Sequence, residues 1–114
     1  GLIVDVDEAH MDAITSLGAS SPAFFLLFLE AMIDAGVHIG LPRDKAKAIS
    51  IQVVKGVIEM LEREQIHPAV MREMITSPGG TTISGLASLE ANAFKGSIIE
   101  AIEKAARRAK ELSS

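Results

Sequence analysis

Cysteine is absent from this sequence of 114 residues, as are tryptophan and tyrosine. Without cysteine the chain forms no disulfide, offers no thiolate nucleophile and supplies no sulfur ligand to a metal. The absence is typical of a reducing compartment, and we expect a cytoplasmic protein. Only 4% of the residues are aromatic whereas 48% are hydrophobic, so the core must consist of aliphatic side chains.

The sequence also lacks the apolar run of about 20 residues that a membrane-spanning helix needs. Its most apolar run, residues 22–29, is closed by Glu30. No basic segment precedes an apolar stretch at the N-terminus, so no signal peptide is predicted. The formal net charge of -4 argues against nucleic acid binding, which requires a concentrated basic face. We therefore predict a soluble protein that binds neither membranes nor nucleic acids.

Glycine and proline divide the chain into segments whose apolar residues recur every three to four positions, which predicts helices and no strands. Residues 18–22 are predicted to be a break, and Gly36 is predicted to end the second helix. We expect an all-α bundle of five to six helices in one domain, residues 1–114. The predicted helices cover residues 7–17, 22–35, 43–64, 69–75, 81–92 and 94–112.

The apolar faces of three helices indicate where packing should occur. Residues 24–29 are apolar on every side, so the second helix is predicted to be the most buried. Gly56 lies beside the apolar stripe of the third helix and indicates either a close helix approach or a tolerated glycine. Together with the high apolar content, the seam on the last helix predicts a dimer. The third-helix stripe is Ala46, Ile49, Val53, Val57 and Met60, and the last-helix seam is Ile98, Ile102, Ala105, Ala109 and Leu112.

Few polar residues are placed for chemistry. The three histidines, His10, His38 and His67, are not spaced as metal ligands, so no metal site is predicted. His67 lies in a break directly before a proline, and we expect it to cap a helix or to lie on the surface. Glu30 and Asp34 lie four apart on one helical face and could serve acid–base chemistry. More simply, they cap a helix, form an ion pair with a neighbour or face solvent.

The basic residues near the C-terminus form the one positive cluster in the sequence. Cations in the last turns of a helix stabilise its negative end, so this cluster predicts a helix terminus rather than a binding surface. The cluster is Lys104, Arg107, Arg108 and Lys110.

Residues 77–82, Ser-Pro-Gly-Gly-Thr-Thr, are the most unusual local sequence. The two glycines leave backbone N–H groups uncrowded where the next helix begins, which would suit a small carboxylate. A tight turn with a threonine cap explains the same residues, and the sequence pattern alone leaves both interpretations open. No Lys of a nucleotide phosphate loop and no G-x-G-x-x-G fingerprint are present.

The order of several motifs resembles the C-terminal domain of the pyrroline-5-carboxylate reductase family over residues 5–112. The segment at residues 77–82 carries most of the resemblance. Two glycines of the family pattern are replaced here by Ala19 and Ser21, and Gln65 stands where relatives can have Glu. The other matching motifs are residues 12–15, 21–24, 34–37, 40–43 and 67–68.

The resemblance implies a substrate site and a reaction. The family reduces 1-pyrroline-5-carboxylate to L-proline with NADPH or NADH. By its pattern, the backbone around Gly79, Gly80 and Thr81 holds the substrate carboxylate. Thr82 presents its hydroxyl to the ring nitrogen, and Ser77 supports the loop. No residue is assigned as an acid or base, because hydride transfer depends mainly on positioning.

The resemblance also implies what this chain lacks and what it binds. A Rossmann domain, not found in this chain, precedes the helical domain and holds most of the cofactor. We therefore expect no cofactor on this chain alone, and no activity from it. The expected partners are a second copy, in a homodimer or a larger oligomer of dimers, and a cyclic imino acid substrate. The alternative is a helical interaction module that has kept the fold but not the site.

Overall fold

The computed structural model describes residues 10–76 and 80–113. These residues are helical almost throughout and include no strand, so the predicted all-α class is confirmed. Within these described residues, six α-helices and one π-helix follow one another. They are α1 (Met11–Ile14), the π-helix (Thr15–Ser20), α2 (Ser21–His38), α3 (Arg43–Glu64), α4 (Pro68–Ile75), α5 (Thr81–Ala91) and α6 (Phe94–Ser113).

The chain divides into two compact units. The first consists of residues 1–26 together with 93–114, and the second of residues 27–92. The first therefore contains α1, the π-helix and α6, and the second contains α3, α4 and α5. Helix α2 begins in the first unit and ends in the second.

In the first unit, the predicted break at residues 18–22 is wrong. The backbone stays helical through a π-helix, in which the N–H of Ser21 donates to the carbonyl oxygen of Ser16. A proline inside a helix lacks an N–H and crowds the carbonyl four residues before it. The wider turn ahead of Pro22 accommodates the ring without ending the helix.

Helix α6 packs against the π-helix and α1. The buried side chain of Ser16 donates from its Oγ to the carbonyl oxygen of Ile102 over 2.6 Å. Four of the five predicted seam residues on α6 are half-buried, and only Leu112, at the end, is exposed. Over most of α6 the seam therefore packs on helices of the same unit, so it does not by itself indicate a dimer.

In the second unit, α2 and α3 are joined by a tight turn. Gly40 has a φ of +114°, and the N–H groups of Gly40 and Leu41 donate to the carbonyls of Val37 and Gly36. These two bonds form a Schellman motif, which satisfies the last carbonyls of α2. The predicted stop at Gly36 is thus wrong, because the left-handed residue that ends the helix is Gly40.

Gly36 instead permits the close approach of α2 and α3. A Cβ atom built at Gly36 would lie 2.8 Å from the Cβ of Ala46, which is one of the few buried residues of the second unit. The apolar stripe of α3 is accordingly buried only at this end, since Ile49 and Val53 remain about half exposed. Within one chain, the stripe is therefore covered at Ala46 and open at Ile49 and Val53.

Helix α2 is not the buried helix that its composition predicted. None of its residues is buried, and Leu26 and Leu27 are 61% and 66% exposed. Apolar periodicity indicates that a face is covered in the functional state, but it does not say whether the same chain covers it. Within one chain, this prediction is wrong.

The uninterrupted helical stretch Met11–His38 has 28 residues and is apolar enough to cross a membrane by length and composition alone. The break that was predicted ahead of Pro22 limited the expected apolar run to residues 22–29. The π-helix joins the two parts, which makes the apolar stretch longer than predicted. An apolar helix that a second protein chain covers has the same composition.

Candidate functional site

The N-terminus of α5 carries the described part of the predicted carboxylate site. Gly80 is the N-cap, with extended backbone at φ -88° and ψ -178°, and no side chain among the described residues caps the helix. Thr81 and Thr82 form the first turn, and both are exposed. The first N–H groups of a helix have no partner within it, and they carry the positive end of the helix dipole. The geometry provides uncapped backbone donors beside two hydroxyls.

The structure places three of the five predicted site residues together at this helix start: Gly80, Thr81 and Thr82. Ser77 and Gly79 lie outside the described residues, and so does Pro78 between them. Helix α4 ends just before this segment, where the Thr76 hydroxyl donates to the carbonyl of Arg72 over 2.6 Å. The threonine-cap alternative is not what the described residues show, because neither threonine is the N-cap of α5.

A pocket of about 510 Å³ lies between α4 and α5. Its walls are mostly apolar, with Arg72 and Glu73 as the charged residues among those described. Thr76 and Ile83 line it, whereas Thr81 and Thr82 do not. The pocket therefore borders the predicted carboxylate site without containing its threonines. Its described lining residues are Ala69, Val70, Arg72, Glu73, Thr76, Ile83 and Leu86.

Asp34, one of the two acidic residues of α2, forms a structural contact. The guanidinium of Arg43 donates to the Asp34 carboxylate over 2.8 Å, and both side chains are more than half exposed. This ion pair joins the end of α2 to the start of α3. A pair at this exposure contributes about 0–1 kcal/mol. Of the alternatives for Asp34, the ion pair with a neighbour is the one observed.

His67 caps α4. Its Nδ1 accepts from the N–H of Ala69 over 3.0 Å, and Pro68 occupies the first position of the helix. Both features are favourable at a helix start, so the predicted capping role of His67 is confirmed. Within residues 10–76 and 80–113, no three His, Asp or Glu side chains are grouped as metal ligands would be.

The basic cluster at the end of α6 takes part in ion pairs along the helix. Lys104 contacts Glu100 at 3.0 Å and Arg108 contacts Glu111 at 2.9 Å. The Lys104 ammonium, through a hydrogen bond and its charge, lowers the pKa of Glu100, and the charge of Arg107 adds to this effect. The helix-terminus interpretation of the cluster is supported by these contacts.

Two polar roles were not predicted from the sequence. Gln65 adopts a left-handed conformation with φ 54°, and its side-chain amide donates to the carbonyl of Glu62 over 2.8 Å, which ends α3. Ser21 donates from its hydroxyl to the Ser16 carbonyl over 3.3 Å. Both residues satisfy backbone carbonyl groups, and no local sequence signal indicates either bond.

The fold and this helix start define an all-helical domain whose apolar surface is largely uncovered within one chain. Residues 8–112 match the family described as pyrroline-5-carboxylate reductase dimerisation. The chain belongs to this family, as the ordered motifs predicted.

Curated relatives match almost the whole chain. The pyrroline-5-carboxylate reductase of Synechocystis sp. is 46% identical over 112 residues, which are 98% of this chain and 42% of that protein. The Arabidopsis thaliana enzyme of the same name is 42% identical over 113 residues, 99% of this chain and 41% of that protein. The chain thus spans about two-fifths of the length of these relatives.

Solved structures share the fold closely. The crystal structure of Plasmodium falciparum pyrroline carboxylate reductase with NADP bound superposes with a TM-score of 0.96 and 38% identity, covering 100% of this chain and 45% of that one. The 1-pyrroline-5-carboxylate reductase of Streptococcus pyogenes gives a TM-score of 0.94 and 39% identity, covering 97% of this chain and 43% of that one. The similarity therefore covers the helical domain as a whole.

Proposed function

We propose that this chain is the dimerisation and substrate-binding part of an enzyme that reduces 1-pyrroline-5-carboxylate to L-proline with NAD(P)H. The match of residues 8–112 to the dimerisation family is the observation that carries the proposal. Activity requires a nucleotide-binding domain joined to this one, and the chain alone is inactive. A cytoplasmic location fits the cysteine-free composition.

The substrate carboxylate binds at the start of α5 in this proposal. The N–H groups after Gly80 can donate hydrogen bonds to an anion, and the positive end of the helix dipole stabilises negative charge there. By the family pattern, the Gly79 backbone also helps to hold the carboxylate, with Ser77 in a supporting role, and the Thr82 hydroxyl hydrogen-bonds to the ring nitrogen. Fixing the ring at two points orients its C=N bond, which is the main contribution that a positioning domain makes to hydride transfer.

The described residues do not fit a dinucleotide site. They include no strand, and the sequence contains no G-x-G-x-x-G segment, which together form the usual cradle for a pyrophosphate. In the proposal, a neighbouring domain holds the cofactor, and the helical domain presents the substrate to it.

Fusion to a nucleotide-binding domain tests the proposed reaction. A reductase Rossmann domain placed ahead of Gly1 should give NAD(P)H-dependent reduction of 1-pyrroline-5-carboxylate, followed as loss of NAD(P)H absorbance. The matched control is the same fusion carrying Thr82→Ala, which should fold equally but lose most of its turnover. A well-folded fusion without turnover would contradict the proposal.

Ligand binding separates the enzyme domain from a helical module that only mediates interactions. In the proposal, calorimetric titration of the dimer with proline gives saturable binding that is lost in Thr82→Ala. Ser84→Ala, which removes an exposed hydroxyl two residues further along α5, is the control that keeps binding. The module alternative predicts no binding by any of the three proteins.

The proposed assembly is a homodimer, either alone or within a larger oligomer of dimers. The described part of the chain has few buried hydrophobic side chains, Ala46 and Met71, while residues such as Leu26, Leu27 and Ile39 are mostly exposed. Covering such side chains removes apolar area from water, which is the main favourable term in protein association. The same surface explains the apolar stretch of α2 without a membrane.

A further inference from the structure

Arg72 is a charged residue in the mostly apolar pocket between α4 and α5. Ala69, Arg72 and Thr76 follow one another at steps of three and four, so they share the face of α4 that lines the pocket. Ile83 lines it from α5. The pocket therefore contains one guanidinium, with the Glu73 carboxylate, among aliphatic side chains.

The pocket adjoins the proposed carboxylate site on both helices. Thr76 lies one turn after Arg72, and Ile83 directly follows Thr82 in the first turn of α5. The Thr76 hydroxyl donates to the Arg72 carbonyl over 2.6 Å, which holds the last turn of α4. The backbone of Arg72 is thus fixed, whereas its long side chain is exposed and can extend along the pocket.

The Arg72 guanidinium has no ionic partner in the described part of the chain. Arg43, Arg63 and Arg108 each contact a carboxylate, at 2.8, 3.5 and 2.9 Å. Arg72 makes no such contact there and no side-chain hydrogen bond, although Glu73 is next to it in sequence. The planar fork of N–H donors on Arg72 is therefore open to a ligand, and its geometry matches a carboxylate.

The surroundings of Arg72 favour an anionic group. The positive end of the α5 dipole lies at the helix start after Gly80, and no described side chain caps it. A guanidinium beside this helix start adds charge of the same sign, so the two attract a carboxylate together. The apolar walls of the pocket reduce the competing water, which strengthens the interaction between charges.

Glu73 adds a charge of the opposite sign to the same pocket. Its carboxylate makes no ion pair with any described residue. An unpaired cation and an unpaired anion in one pocket complement a ligand that carries both charges. A cyclic imino acid is such a ligand when its ring nitrogen is protonated, whereas a phosphate or a simple dicarboxylate is not.

We propose that the Arg72 guanidinium binds the substrate carboxylate together with the first N–H groups of α5. Arg72 is then a binding residue in addition to those that the family pattern names. The proposal rests on the proposed function, since it requires that a cyclic imino acid binds at the start of α5. It adds an anchor from α4, and a full positive charge, to a site otherwise formed by neutral donors.

Calorimetric titration with proline tests the role of Arg72. Arg72→Gln should bind proline about tenfold more weakly than the parent chain, which is the effect of one lost hydrogen bond to a charged group. Arg63→Gln is the matched control, because it removes the same charge from an exposed arginine that does not line the pocket. It should bind proline as the parent chain does. Equal binding by the two variants would overturn the proposal.

The conservative variant Arg72→Lys separates charge from geometry. Lysine keeps the positive charge but lacks the planar fork of donors. Arg72→Lys should therefore recover part of the proline affinity that Arg72→Gln loses. Affinity as low as that of Arg72→Gln would contradict an attraction between charges at this position.

Steady-state kinetics of the fusion with a nucleotide-binding domain separate lost binding from structural damage. Arg72→Gln should raise KM for 1-pyrroline-5-carboxylate about tenfold and leave kcat within about twofold, because a contact made equally before and during the reaction affects KM alone. A distorted α4 would lower kcat as well, since the substrate would no longer be positioned. A fall in kcat at unchanged KM would contradict the proposal.

Further results distinguish this proposal from the proposed function. A parent chain that binds no proline would overturn both. A parent chain that binds proline, with Arg72→Gln binding it equally well, would overturn only the role of Arg72. Light scattering of Arg72→Gln at micromolar concentration tests a contact between chains instead. A weaker dimer with unchanged proline affinity would assign Arg72 to that contact and overturn the proposal. Circular dichroism of each variant establishes that the helices are retained.

Discussion

Ser16 joins segments of the chain that are 86 residues apart through one buried hydrogen bond to the carbonyl of Ile102. The bond lies where the π-helix and α6 pack together in the first unit. A buried hydroxyl costs free energy unless it is hydrogen-bonded, so the partner is as important as the side chain. Ser16 is a polar residue whose role depends on long-range packing.

Replacing Ser16 by Ala should lower the free energy of unfolding by about 1 kcal/mol, since one buried hydrogen bond is lost. Urea unfolding followed by circular dichroism measures the change. Ser84→Ala, at an exposed position, is the control and should leave stability within about 0.5 kcal/mol. Equal effects of the two substitutions would mean that the bond to Ile102 contributes nothing.

Gly36 gives a second prediction at this scale. Gly36→Ala places a methyl group 2.8 Å from the Cβ of Ala46, so α2 and α3 must move apart. Overpacking typically costs about 1–3 kcal/mol, which exceeds the gain of up to about 1 kcal/mol from the better helix propensity of Ala. We therefore expect a lower melting temperature.

The matched control for Gly36→Ala is Gly85→Ala. Gly85 also lies inside a helix, but a Cβ atom there would have no neighbour within 4 Å. This substitution should raise the melting temperature, because Ala has a higher helix propensity than Gly and no overpacking opposes it here. The same change at two glycines then has opposite signs, and a gain at both would argue against the close approach of α2 and α3.

At the scale of the elements, the starts and ends of most helices follow from local residues. Helix α3 was predicted at residues 43–64 and is observed at Arg43–Glu64, and α5 and α6 differ from prediction by one residue at the C-terminal end. Caps and turn residues act within one turn of the backbone, so the local sequence pattern predicts where a helix begins and ends. The π-helix was missed because it replaces an expected break ahead of Pro22, and only the surrounding structure keeps that region helical.

The ion pair between Glu100 and Lys104 gives α6 a pH-dependent contribution. The pKa of Glu100 is lowered in the folded state, mainly by the hydrogen bond from Lys104 and by the charge of Lys104. Because its pKa is lowered, ionised Glu100 stabilises the folded chain at pH values above its pKa in the unfolded chain. This stabilisation is lost as the pH falls through the pKa of Glu100 in the folded chain. The carboxylate is exposed, so the effect should be small.

Glu100→Gln should therefore melt at a slightly lower temperature than the parent chain near neutral pH. The difference should narrow as the pH falls well below the ordinary Glu value of 4.5. Thermal melts followed by circular dichroism, one near neutral pH and one well below pH 4.5, measure the difference in melting temperature. A difference that stays constant with pH would show that the carboxylate charge is not its cause.

At the scale of the whole molecule, the apolar composition and the exposed faces of α2 and α3 lead to the proposed dimer. If folding and association are coupled, stability depends on protein concentration. The melting temperature should rise by a few degrees when the chain concentration is raised tenfold, because dilution favours the separated chains. Light scattering should give twice the 12.1 kDa of one chain. A melting temperature independent of concentration together with a single-chain mass would contradict the dimer.

The sequence by itself determined the helical class, most helix limits, the capping role of His67 and the family. Each depends on residues close together in the chain or on an ordered set of motifs. Tertiary structure decided that Gly36 accommodates Ala46, that Ser16 bonds to Ile102, and that the stripe of α3 is buried only at Ala46. Periodicity reports that a face is apolar, but only the packed chain shows how much of it remains exposed. Gly80, Thr81 and Thr82 were predicted from the motif, and the structure added that they begin a helix whose first N–H groups are not capped by any described side chain.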